Sequence, residues 1–69
     1  MNTMTQEILN RLPEKVKETM KKWNVKYNDS RFNKDITRGE IRGYVKALRD
    51  AGLLKSDTEF RAIFCYMTL

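Results

Sequence analysis

Apolar residues return at helical spacing over most of the chain. Ile8, Leu9, Leu12, Val16, Met20 and Trp23 fall on one stripe at a 3.6-residue period, while Arg11, Glu14, Lys17, Glu18 and Lys21 turn away from it. The spacing predicts a helical region over residues 5–23, supported by the i,i+4 pairs Glu7–Arg11 and Glu18–Lys22. Pro13 interrupts it. A proline inside a helix removes a backbone bond and costs about 3 kcal/mol, whereas at the first helical position it costs little. The reading is a short N-terminal turn or helix to Leu12, then a main helix over residues 13–23, with one kinked helix as the alternative.

Residues 24–36 are dense in Asn, Asp and Ser and predict a long polar connection, pinned to the core by Val25, Tyr27, Phe32 and Ile36. Asp29 and Asp35 suggest a calcium loop, but the alternating oxygen ligands and central glycine of such a loop are missing. Beyond it, Thr37-Arg38-Gly39-Glu40 reads as a capping box that opens a second main helix with Ile41, Tyr44, Val45 and Leu48 on its apolar face. Gly52 closes that helix in the left-handed conformation, with Leu53 placed to touch Leu48. Ser56-Asp57-Thr58-Glu59 is a second capping signature, followed by Phe60, Ile63, Phe64 and Met67 at i, i+3, i+4 and i+7. Residues 60–66 are also rich in strand formers, and the capping signature favours helix. The expected fold is an all-α single domain, residues 1–69, of three to four helices with a long polar loop between the first and second main helices.

A chain this short buries only about 60% of the surface its unfolded state exposes, so small domains often rely on a disulfide, a metal or another subunit. Cys65 is the one cysteine and there is no histidine, which removes the intramolecular disulfide and the usual zinc ligand sets. Self-association, a homodimer for example, or partner binding gains weight. Residues 1–5 lack a charged segment followed by an apolar run, and the longest uncharged stretch, residues 62–69, is far short of the roughly 20 residues of a membrane span. A cytoplasmic protein without a membrane role is expected. Catalysis has no support: no histidine serves as a base, Ser30 and Ser56 sit in loop and cap contexts, and Cys65 reads as a buried small hydrophobe. No enzyme, cofactor, metal or small-molecule substrate is expected.

Charge changes the picture most. The net charge is +5, and residues 15–49 carry eleven basic side chains against Glu18, Asp29, Asp35 and Glu40. Such a field attracts nucleic acid, an anionic membrane or an acidic protein face, or it merely keeps a small protein soluble. At about 100° per residue, Arg38, Arg42, Lys46 and Arg49 share an arc of about 80° beside the apolar face of the second helix. Four cations in one line repel each other, and they suit phosphates; Lys22, Lys26 and Lys34 would serve as outlying phosphate contacts. A solvated face partly neutralised by Glu40, Asp50 and neighbouring acids is the plainer alternative.

Two further features stand out. Gly39, Gly43 and Ala47 form a ridge without side chains, and an interior glycine costs about 1 kcal/mol relative to alanine, which points to close approach of another backbone. The first helix of the same chain is the favoured neighbour, with a sugar-phosphate strand or a partner helix as alternatives. The run over residues 62–69 has no charge on any face, so it is either a central helix clasped by the fold or an oligomer or partner interface through Cys65, Tyr66 and Leu69.

The segment Glu40-Ile41-Arg42-Gly43-Tyr44-Val45-Lys46-Ala47-Leu48-Arg49-Asp50-Ala51-Gly52-Leu53-Leu54 resembles the recognition helix and exit of winged-helix DNA-binding domains, where Leu-x-x-x-Gly-Leu-Leu precedes the wing. That resemblance implies a helix docked in the major groove. A capping signature stands here where the family has its wing hairpin, and a loop replaces the preceding helix of the helix-turn-helix. From Leu12-Pro13 through Thr37-Arg38-Gly39-Glu40 to the aromatic C-terminus, the layout is also similar to short uncharacterised proteins of phages and prophages, which implies a small regulator or an inhibitor of a host system. The expected function is a non-enzymatic, phage-type regulator that binds nucleic acid through the basic helix face. The alternative is a protein-binding inhibitor or adaptor docking on a host protein.

Overall fold

The computed structural model describes residues 3–69. Met1 and Asn2, which open the segment read for an export signal, lie outside the described residues. The described chain forms four helices and no strand: α1 (Thr3–Arg11), α2 (Glu14–Tyr27), α3 (Lys34–Asp50) and α4 (Asp57–Met67). The all-α expectation therefore holds.

Pro13 separates two helices and does not kink one. Its backbone is extended (φ −58°, ψ 149°), and Lys17 N–H donates to its carbonyl at 3.1 Å, so the missing proline N–H falls where a helix start leaves amides unpaired. The stripe read from the sequence is the buried one: Ile8, Leu9, Leu12 and Met20 are buried, and Val16 and Trp23 pack half-buried against them.

The long connection is shorter than its composition suggested. α2 continues to Tyr27 and α3 begins at Lys34, leaving six residues, 28–33. Two causes are visible. Tyr27 prolongs the apolar stripe of α2 and is 6% exposed, and the Asn24 side chain donates to the Met67 carbonyl at 3.0 Å. The remaining residues fold on themselves: Asp29 Oδ1 accepts from Arg31 N–H at 3.0 Å, and Phe32 N–H donates to the Asp29 carbonyl at 3.1 Å. Of the four residues expected to pin this segment, only Tyr27 does so; Val25, Phe32 and Ile36 are exposed. A helix does precede α3, joined by a connection longer than the three- or four-residue turn of a helix-turn-helix.

The N-cap of α3 is Asn33 and not Thr37. Its side chain accepts from Asp35 N–H at 2.9 Å and Ile36 N–H at 3.1 Å, and Thr37 lies one turn inside the helix, fully buried. The other end follows the sequence closely. Gly52 has φ 82°, Leu53 N–H donates to the Leu48 carbonyl and Gly52 N–H to the Arg49 carbonyl, the paired bonds of a Schellman stop. Ser56 Oγ caps α4 by accepting from Glu59 N–H at 3.3 Å, while the Glu59 carboxylate accepts from Lys55 N–H at 2.8 Å. Residues 57–67 are thus helical and not a strand.

α4 packs on α1, α2 and α3, and α2 packs on α3; α1 and α2 barely touch, although only Leu12 and Pro13 separate them. Ile63 and Met67 of α4 are fully buried among Ile8 of α1 and Ile41 and Val45 of α3. The uncharged final segment is therefore the central helix of the fold. No described helix is long and apolar enough to cross a membrane.

Candidate nucleic-acid interface

Thr37, Ile41, Val45 and Leu48 of α3 are buried, and Tyr44 is half-buried. This fixes the rotation of the helix, and Arg38, Arg42, Lys46 and Arg49 all emerge exposed along one flank of it. The structure does bring the four together.

They differ in what they touch. Arg38 donates to the Tyr27 hydroxyl at 3.0 Å and lies 3.5 Å from Asp35; those neighbours raise the pKa of its guanidinium further. Arg49 is paired with Asp57 at the start of α4. Arg42 and Lys46, in the middle, have no ion pair among the described residues. The stripe is therefore half neutralised by carboxylates of its own chain, but by Asp35 and Asp57 and not by the expected Glu40 and Asp50: Glu40 is held by Lys26, and Asp50 has no ion pair among the described residues. Both pairs are solvent-exposed, and such pairs exchange readily for another anion because each partner stays hydrated when released.

The outlying cations divide in the same way. Lys26 is bound to Glu40 at 3.1 Å on the other flank of α3 and lies over the rings of Trp23 (5.4 Å) and Phe32 (4.9 Å). Lys34 lies 4.3 Å from the centre of the Tyr27 ring. Lys22 is exposed on α2 and has no ion pair among the described residues. Beside Lys26, Arg31 also approaches Phe32, at 5.9 Å, and clamps Asp29 at 2.6 Å, holding that carboxyl at a pKa of about 2. Phe32, expected to pin the connection to the core, is 44% exposed instead. Its place between Arg31 and Asn33 in a polar, basic stretch is the sign in the sequence that this ring stays in a cationic, solvated setting.

Two aromatic residues on the expected apolar face of α4 remain partly open to solvent. Phe60 and Phe64 stack with centroids 6.4 Å apart and planes 12° from parallel, both half-buried. On the helical wheel they share a side of α4 with Asp57, the partner of Arg49, and both rings pack against the hydrophobic core.

The glycine ridge faces solvent. Gly39, Gly43 and Ala47 are exposed, and a Cβ built on either glycine would meet nothing within 4 Å, so none of the described helices approaches there. The first helix cannot be the neighbour because it packs chiefly on α4. Cys65 is likewise exposed and not buried, since it sits on the side of α4 opposite Ile63. Tyr66 is half-buried and Leu69 is 80% exposed.

No protein-family model matches the chain, and no curated protein or solved structure shows significant similarity to it.

Proposed function

We propose that this chain is a small, non-enzymatic regulator that binds nucleic acid through the exposed flank of α3. The observation that carries the reading is the pair Arg42 and Lys46, one turn apart, exposed and without an ion pair among the described residues, between Arg38 and Arg49 on the same flank. Arg42 offers a fork of donors to phosphate oxygens and Lys46 a point charge. Arg38, steadied by Tyr27, and Arg49 join by giving up exposed carboxylates. The phage-type setting implied by the layout of the chain is part of the same proposal.

A gel-shift titration with random duplex and single-stranded DNA at low salt tests it. The wild-type chain is expected to shift at least one of them, and R42E/K46E to abolish the shift while leaving the melting temperature unchanged. No shift with any nucleic acid, or an unaltered shift in the double variant, would overturn the proposal.

The second reading, an inhibitor or adaptor that docks on a host protein, draws on the back of α3. Ile36 is 67% exposed there, beside the open surface of Gly39, Gly43 and Ala47. It expects stoichiometric capture of one protein, lost on I36D and retained in R42E/K46E.

A further inference from the structure

α1 and α2 diverge from the short Leu12–Pro13 connection, and the C-terminal end of α4 lies between them. The V so formed holds a groove of about 600 Å³. Leu9, Met20 and Tyr66 contribute to its lining, and Val25 and Leu69, 69% and 80% exposed, stand at its edge with no described residue laid over them. A second hollow, between α1 and α4, shares Tyr66 and Leu69 with it and extends the apolar surface past Met4 and Ala62. Large apolar side chains gathered at a concave surface mark a docking place.

The charges around this surface choose the occupant. Lys17 and Lys21 line the α2 side; Lys17 is bound to Glu14 at 3.0 Å, and Lys21 has no ion pair among the described residues. The uncharged Gln6 and Asn10 line the α1 side, and Arg61, also without an ion pair among the described residues, lines the neighbouring hollow. The side chains that line the two hollows thus include three cations and one carboxylate. A second copy of a chain with net charge +5 would bring like charge to a cationic rim. We infer that the groove between α1, α2 and α4 receives an amphipathic helix of a partner protein, apolar on one face and acidic along its edges. Such a helix would lie in the V as a fifth helix, its apolar side on Leu9, Met20, Tyr66 and Leu69 and its carboxylates toward Lys21 and Arg61. None of the residues lining either hollow belongs to α3, so the groove and the basic flank can be occupied together.

The test uses the full chain and a synthetic peptide of about fifteen residues, with leucines at i, i+3, i+4 and i+7 and glutamates elsewhere, against a counterpart carrying lysine for every glutamate. Binding is followed by calorimetry and by amide shifts in nuclear magnetic resonance spectra. The acidic peptide is expected to saturate and to bind at least about tenfold more tightly than the lysine peptide at low salt. Shifts should concentrate at the residues of the groove. V25D should weaken binding about tenfold and K21E about threefold, both with unchanged melting temperature because both sites are exposed. Equal affinity for the two peptides, no saturable binding, or shifts confined to α3 would overturn the inference. So would a concentration-dependent dimer in sedimentation that L69D abolishes, since a second copy would then be the occupant.

Discussion

Arg49, in the last turn of α3, is ion-paired with Asp57, in the first turn of α4, across the Gly52 stop. The pair joins the two helices at the point where the basic flank ends, and it sets how much of that flank is free. Removing the carboxylate should therefore strengthen phosphate binding. D57N and D35N are each expected to raise nucleic-acid affinity and to steepen the slope of log K against log salt by up to about one unit. D57N should also cost about 0.3–1 kcal/mol of stability, because Asp57 sits at the positive end of the α4 dipole. Weaker binding in either variant would show that the pairs shape the site and do not compete for it.

Arg11 binds both Glu59 oxygens, at 2.5 and 3.3 Å, and donates to the Leu53 carbonyl at 3.2 Å. Together with the Lys55 N–H, it holds the Glu59 carboxyl below its ordinary value of 4.5. A carboxylate whose folded-state pKa is depressed stabilises the fold fully above the unfolded value and loses that contribution as pH falls through the folded one. R11A is expected to lower stability at neutral pH by about 1 kcal/mol, after allowance for solvent screening of the partly exposed arginine, and to bring the Glu59 pKa back toward 4.5. Carboxyl titration by nuclear magnetic resonance and chemical denaturation at pH 3 and 7 measure both; the wild-type advantage should shrink at the lower pH.

The glycines of α3 and the glycine that ends it should respond with opposite signs. Nothing lies within 4 Å of a Cβ at Gly39 or Gly43, and Gly52 is the only described residue with positive φ. Gly39→Ala and Gly43→Ala are expected to stabilise the chain by about 0.5–1 kcal/mol each, through helix propensity. Gly52→Ala should destabilise it by about 1 kcal/mol, because a side chain is strained at that φ. Thermal melts settle the signs.

Asn33 accepts from two amides at the start of α3, so N33A should cost about 1 kcal/mol, the loss of one N-cap. If Thr37 were the cap, N33A would be nearly silent. In T37A the loss would come from a buried side chain inside the helix.

Features governed by neighbours in sequence were legible without coordinates. The stop at Gly52, the Ser56 cap, the break at Pro13 and the shared flank of Arg38, Arg42, Lys46 and Arg49 all rest on spacings of one to four residues. What escaped rests on partners far along the chain. Asn24 and Tyr27 read as loop because the Met67 carbonyl that anchors Asn24 is 43 residues away. Arg11 read as the partner of Glu7, yet its carboxylate is Glu59, 48 residues on. The opening between α1 and α2 depends on how both lie against α4, which no local pattern encodes, and so the groove was invisible. The glycine ridge misled for the opposite reason: its spacing suggested contact, and contact is a property of whatever lies opposite.

The salt dependence of binding is the most direct measurement of the central claim. With Arg42 and Lys46 engaged, and Arg38 and Arg49 engaged to the extent that they leave their carboxylates, the slope of log K against log salt should lie at roughly −2 to −4 and become shallower by about one unit in R42A, which keeps enough affinity for a slope to be measured. A flat response in the wild-type chain, or the same slope in both proteins, would contradict the account.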